Sequence, residues 1–180
     1  KTMTLTDSKT FYIDPYISLT GKKGSSHQLR SRIFYADNDN GNDQSNKTNV
    51  YLAEYRFNRE IISLGRLNVT SGAYFQQSFS QASLYAGSGS NKNTLENYAA
   101  FIQLEKKLIK KLLVSAGFRA EYFEMNNKDA QLEPILRAGL NYQLTEGTFI
   151  RCSYGQGYRY PTIAEKFIET GAGGISVFPN

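Results

Sequence analysis

Apolar and polar residues alternate with period two along most of this chain, and no other feature restricts its fold as much. In LLVSAGFRAEYF, Val114, Ala116, Phe118, Ala120 and Tyr122 fall on one side, with Ser115, Gly117, Arg119 and Glu121 on the other. ILRAGLNYQL sets Leu136, Ala138, Leu140, Tyr142 and Leu144 against Arg137, Gly139, Asn141 and Gln143. NYAAFIQLEKK and TFIRCSYGQGY alternate in the same way, as do HQLRSRIFYAD, GRLNVTSGAYFQQSF and, apart from Val50 and Leu52, TNVYLAEYRF earlier in the chain. FYIDPYISLT forms a weaker first strand, because Pro15 has no N–H to give to a sheet ladder. The spacing therefore predicts about eight strands, each with one dry and one wet face. IQLEKKLIKKLL has helical spacing, but its neighbours alternate, so Lys106 to Lys111 reads as a turn.

The connections suggest where the dry face goes. Gly21 to Ser26, Asn58 to Ile62, Lys107 to Lys111 and Thr145 to Gly147 are short. Asn38 to Lys47, Gln81 to Thr94 and Met125 to Glu133 are longer and polar. Short and long connections alternate, as in outer-membrane barrels. No window approaches the ~20 apolar residues of a membrane helix, which leaves membrane strands open. Strands of roughly ten residues suit a tilted span. Arg119, Glu121, Arg137 and Arg151 share the wet side, where facing lipid would cost each ~2–4 kcal/mol near the midplane. Tyr122, Tyr142 and Tyr158 sit towards strand ends, as in an interfacial girdle. The expected fold is all-β, an antiparallel transmembrane barrel meander. A soluble all-β domain with an aromatic core is the alternative.

Composition removes several function classes. The formal charge is +5, but the 21 Lys and Arg are dispersed apart from Lys106, Lys107, Lys110 and Lys111, so no nucleic-acid partner is expected. One Cys and one His exclude a disulfide framework and a finger-type zinc site. His27 lies near a turn, and no Ser or Cys has a G-x-S-x-G context. Glu121 could be paired with Glu133 or Glu165 as hydrolytic carboxylates, but no spacing selects them. The loop DNDNGNDQSN has Thr48 where a calcium loop needs its twelfth-position Glu. No catalytic residue, metal or cofactor is assigned. GQGYR lacks the Lys–Ser/Thr of a phosphate loop and no helix follows Gly157 directly. Gly155 and Gly157 are placed on the inward face of the last strand, Tyr154 and Tyr158 outward, and Pro161 at the end of the ladder. The chain is expected to leave the membrane there, at the cell surface.

Three stretches carry a family resemblance. LENYAAFIQLEKKLIKKLLVSAGFRAEYFEMNN looks like paired strands with a short periplasmic turn. EPILRAGLNYQLTEGTFIRCSYGQGYRYPTIAEKF contains a strand ending in the aromatic–Arg pair Tyr158 and Arg159, followed by Pro161 and Glu165. GGISVFPN looks like the start of a next extracellular element. Together they resemble the C-terminal β-barrel of TonB-dependent outer-membrane receptors, especially the Bacteroidetes kind. The resemblance implies that residues 1–180 are part of a barrel of about twenty-two strands. It implies an N-terminal plug domain as partner, energy from the TonB complex, outer-membrane lipid around the barrel, and uptake of an iron chelate, haem, cobalamin or glycan. Arg119, Glu121, Arg137, Tyr158, Arg159 and Tyr160 are the ligand-contact candidates, at the rim or in the lumen, and Gly155, Gly157, Pro161 and Glu165 the structural positions of the motif. The plug and remaining strands are not in this sequence, and both its ends read like cuts. A complete eight-stranded barrel serving as an adhesin or structural protein is the competing expectation, with closure of the Phe11 strand onto the Thr148 strand as its mark. An outer-membrane enzyme is a further one.

Overall fold

The computed structural model describes residues 5–41, 44–85, 90–168, 170–172 and 175–177. Its main strands are β1 (Thr6–Ile13), β2 (Tyr16–Thr20), β3 (Ser26–Asn40), β4 (Asn46–Ile61), β5 (Leu67–Ala82), β6 (Lys92–Ile109), β7 (Leu112–Met125), β8 (Lys128–Thr145) and β9 (Thr148–Gly155). They form one antiparallel sheet in the order β1-β3-β4-β5-β6-β7-β8-β9, with β2 also paired to β3. A five-residue helix, α1 (Ile163–Phe167), follows, then a short hairpin of β10 (Thr170–Ala172) and β11 (Ile175–Val177). The element expected from GGISVFPN lies partly outside the described residues.

The sheet is open, which corrects the expected transmembrane barrel. Closure requires the first and last strands to share a ladder. Among the described residues β1 and β2 pair only with β3, and β9 pairs only with β8. The small closed eight-stranded barrel fails on the same observation, since the Phe11 and Thr148 strands lie at opposite edges. A soluble all-β domain fits no better. The accessible surface is 12575 Å² for 20.3 kDa, against roughly 8,800 Å² for a compact monomer of that mass. Among the described residues no second layer covers most of the sheet.

Local differences from the sequence expectations have physical causes. The predicted first strand breaks at Asp14–Pro15 into β1 and β2, and Asp14 turns aside to accept from Arg32 at 2.6 and 2.7 Å. The long connection expected from Met125 to Glu133 is a two-residue turn. Asn126 and Asn127 both have positive φ, 55° and 56°, as a type I′ hairpin turn demands, and Asn tolerates that region well. Short and long connections therefore do not alternate strictly. Strands β3 to β8 run 14 to 18 residues rather than about ten, because pairing continues into the segments read as loops.

Register sorts the side chains into two unlike faces. One rung holds Tyr55, Ala73, Ala100, Ala120 and Pro134; the next holds Ala53, Phe75, Tyr98, Tyr122 and Leu132. Phe75, Tyr98 and Tyr122 form a chain of tilted rings with centroids 5.1 and 6.1 Å apart, a geometry their quadrupoles favour. This face is apolar yet uncovered: Ile17, Phe118, Leu136, Ile150 and Tyr154 are all exposed. The other face carries Arg, Glu, Gln and Gly at mid-sheet. Towards the end where α1 sits it becomes apolar, and the core lies there. Ala82, Tyr85, Phe123, Met125, Tyr160 and Ile163 form one buried cluster, with Leu95, Phe167 and Ile168 packed against it.

Candidate functional site

The charged face has its centre on β4 and β7. Glu54 is the most buried charged group there, and its two oxygens accept separately from Arg30 at 2.9 Å and Arg56 at 3.0 Å. The carboxylate side chain is 10% exposed, whereas the two arginines are 59% and 50% exposed. Burying that charge is tolerable only because two cations compensate it. Three strands away Arg119 pairs with Glu121 and lies over the rings of Tyr74 and Phe101, 5.5 and 5.7 Å from their centroids. Two rings within cation–π reach favour the guanidinium at this place. Phe101 can lie flat because it faces Gly72 across the ladder, where a Cβ would collide with the Tyr55 carbonyl oxygen and the Phe101 ring. Arg137 stands beside Gly117, its ladder partner, and makes no ion pair or side-chain hydrogen bond among the described residues. Glu54, Arg56, Phe101, Gln103, Arg119 and Arg137 line a cavity of about 180 Å³.

The other expected residues gather separately, at the α1 end. The final strand stops at Gly155, well before Pro161, and the chain then returns over the charged face instead of leading away from the sheet. Gly155 does face Arg137 across the ladder, while Gly157 lies beyond the strand with open space around its Cα. Tyr154 stays on the apolar face, but Tyr158 does not: its ring lies 5.7 Å from Phe123 and its hydroxyl donates to Gln131 at 2.6 Å. Tyr160 stacks on Phe123, 4.9 Å between centroids and 5° from parallel. Thr162 opens α1 with a capping box: the Glu165 N–H donates to the Thr162 hydroxyl, and the Glu165 carboxylate accepts from the Thr162 N–H at 2.8 Å. Arg159 pairs with the same carboxylate, and Lys166 reaches Asp129 at 2.9 Å.

The backbone N–H and the hydroxyl of Thr162, with Arg159 adding to them, hold the Glu165 carboxyl below the usual carboxylate range. A depressed folded value contributes stability above the unfolded value and loses it as pH falls through the folded one. The cap is therefore expected to loosen in acid. Hydrogen exchange across residues 156–168 should speed up as pH drops below the ordinary carboxylate range, after correction for the intrinsic rate. Glu165→Gln should flatten that dependence; an equally steep profile in the variant would refute the assignment.

Residues 3–180 match the family described as TonB dependent receptor-like, beta-barrel. The chain belongs to that family. No curated protein and no solved structure matches it. Membership places the chain with the β-barrel part of TonB dependent receptor-like proteins. Of the carboxylates considered for hydrolysis, Glu121 and Glu133 oppose each other on β7 and β8, but Glu121 is committed to Arg119 and Glu165 to the helix cap. Among the described residues no three His, Cys, Asp or Glu side chains gather as a metal site. Thus the receptor chain brings Arg119, Glu121 and Arg137 together at mid-sheet and sets Tyr158, Arg159, Tyr160 and Glu165 in the cap. Sequence reasoning left Arg30, Glu54, Arg56 and Tyr74 out of the site. Alternation put Glu54 and Arg56 on the wet side, but the pairing of Arg30 with Glu54 depends on the β3–β4 register.

Proposed function

We propose that this chain is a segment of an outer-membrane active-transport receptor that binds and imports a scarce nutrient, an iron chelate, haem, cobalamin or glycan, with energy from the TonB complex. One observation supports this reading most: the two faces of a single uncovered sheet are opposite in chemistry. The apolar face, with its tyrosine rung, is suited to outer-membrane lipid. The Arg/Glu face is suited to water, to a plug domain and to solute, since charges there would be costly against lipid. Family membership supplies the receptor class, and the proposal extends it to nutrient uptake.

The test is uptake by cells that make the full-length receptor, compared with cells lacking its gene, across labelled iron chelates, haem, cobalamin and oligosaccharides. Accumulation of one of these classes should require both the gene and TonB, and should collapse on adding a protonophore. Uptake of all four classes at equal rates with and without the gene, or gene-dependent uptake that persists without TonB, would sink the proposal.

A further inference from the structure

We infer that the cavity between Arg56, Arg119 and Arg137 is an oxyanion site that takes a carboxylate or phosphate group. This rests on the receptor reading and gives the charged face a ligand chemistry. The charges around the cavity do not balance. Among the residues that line it, Arg56, Arg119 and Arg137 supply three positive charges and Glu54 one negative, leaving 3 − 1 = +2. The acids are also the sequestered members: Glu54 and Glu121 are 10% and 13% exposed, against 50% for Arg56 and 27% for Arg119. Glu54 and Glu121 act as holders that orient guanidiniums.

Donor capacity points the same way. Each guanidinium has five N–H groups in a planar fork. Arg56 gives one hydrogen bond to Glu54, Arg119 one to Glu121, and Arg137 gives none among the described residues. Phe101 and Tyr74 attract the Arg119 guanidinium from 5.7 and 5.5 Å, and Gly117 leaves the space beside Arg137 free of a side chain. The result is a polar recess with several free forks and spare positive charge, the arrangement that recognises two oxygens of one anion. A neutral sugar or an apolar ligand would leave the charge uncompensated. The oxyanion has two possible sources, a small dissolved acid or an acidic side chain elsewhere in the full-length receptor.

The experiment uses the purified full-length receptor in detergent, with inorganic phosphate and citrate as probes at ionic strength matched with sodium chloride. Calorimetric affinity and thermal midpoint are both read. Saturable binding is expected, weakened about tenfold or more in Arg137→Gln, partly restored in Arg137→Lys, and unaffected in Arg151→Gln, which changes a charge on β9 outside the cavity. If no probe binds, but Arg137→Gln lowers the midpoint and Arg137→Lys recovers it, the oxyanion belongs to the receptor itself and the site stands. Equal probe binding by the parent and Arg137→Gln overturns the inference. So does the absence of both probe binding and a midpoint change. Neither result touches nutrient uptake, so this inference can fail while the receptor reading survives.

Discussion

Ile163→Ala is expected to cost about 2–5 kcal/mol in the cap, because it opens a void in the main buried cluster of the chain. Ile163 is 5% exposed and packs with Tyr160, Phe123, Met125, Tyr85 and Ala82. The polar ties to the sheet, Tyr158 to Gln131 and Lys166 to Asp129, are exposed. A five-residue helix has almost no stability of its own, so α1 exists through its capping box and this cluster. The loss should appear as local opening. Hydrogen exchange should rise across residues 158–168 and around Tyr85, whose bridge to Ile168 ties the cap to the sheet, while β6 and β7 at mid-sheet keep their protection. The matched control is Ile17→Ala on the uncovered face, where the side chain is 54% exposed and the cap should not respond. Unchanged exchange over 158–168 in Ile163→Ala would show that the cluster does not hold the cap.

Most of the sheet could be read from the chain because a strand's face depends only on its own alternation. Arg119, Glu121 and Arg137 were placed on one side by period two, and the ladder puts them there. Closure cannot be read in this way. It is a pairing between the two ends of a path, and nothing local to Phe11 or Thr148 reports whether their strands meet. The turn at Asn126–Asn127 had a local signal, two adjacent Asn able to take positive φ, but the polar run after it was read as loop. That run is strand because β7 supplies its hydrogen-bond partners as far as Phe123, with a register shift near the turn.

The cap carried a signal too. Thr162 and Glu165 are spaced as a capping box directly after Pro161, which marks a helix start. Pro161 was read instead as the end of a strand that in fact stops at Gly155. The direction of the chain beyond that point was not legible, since it is set by Phe123 and Met125 offering an apolar seat on an otherwise charged face. Glu54 was hidden for a similar reason. Its role depends on Arg30, 24 residues away in sequence and opposite it in register.

Glu54 gives the second large expected effect, through an asymmetry. Arg30→Gln together with Arg56→Gln should be far more damaging than Glu54→Gln, although both changes break the same two ion pairs. The double change leaves a nearly buried carboxylate with neither of its ion-pair partners, a situation that costs about 3–5 kcal/mol. Glu54→Gln leaves two half-exposed guanidiniums that water can solvate, and an amide that can still accept from one of them. Its cost should be about 1 kcal/mol or less, as for exposed pairs. Thermal midpoints of the full-length receptor measure both costs. Adding Glu54→Gln to the double variant should restore most of the loss, because it removes the stranded charge itself. If the triple variant is as unstable as the double, the defect lies in lost packing of the arginine stems, and Glu54 is not the group that the two arginines neutralise.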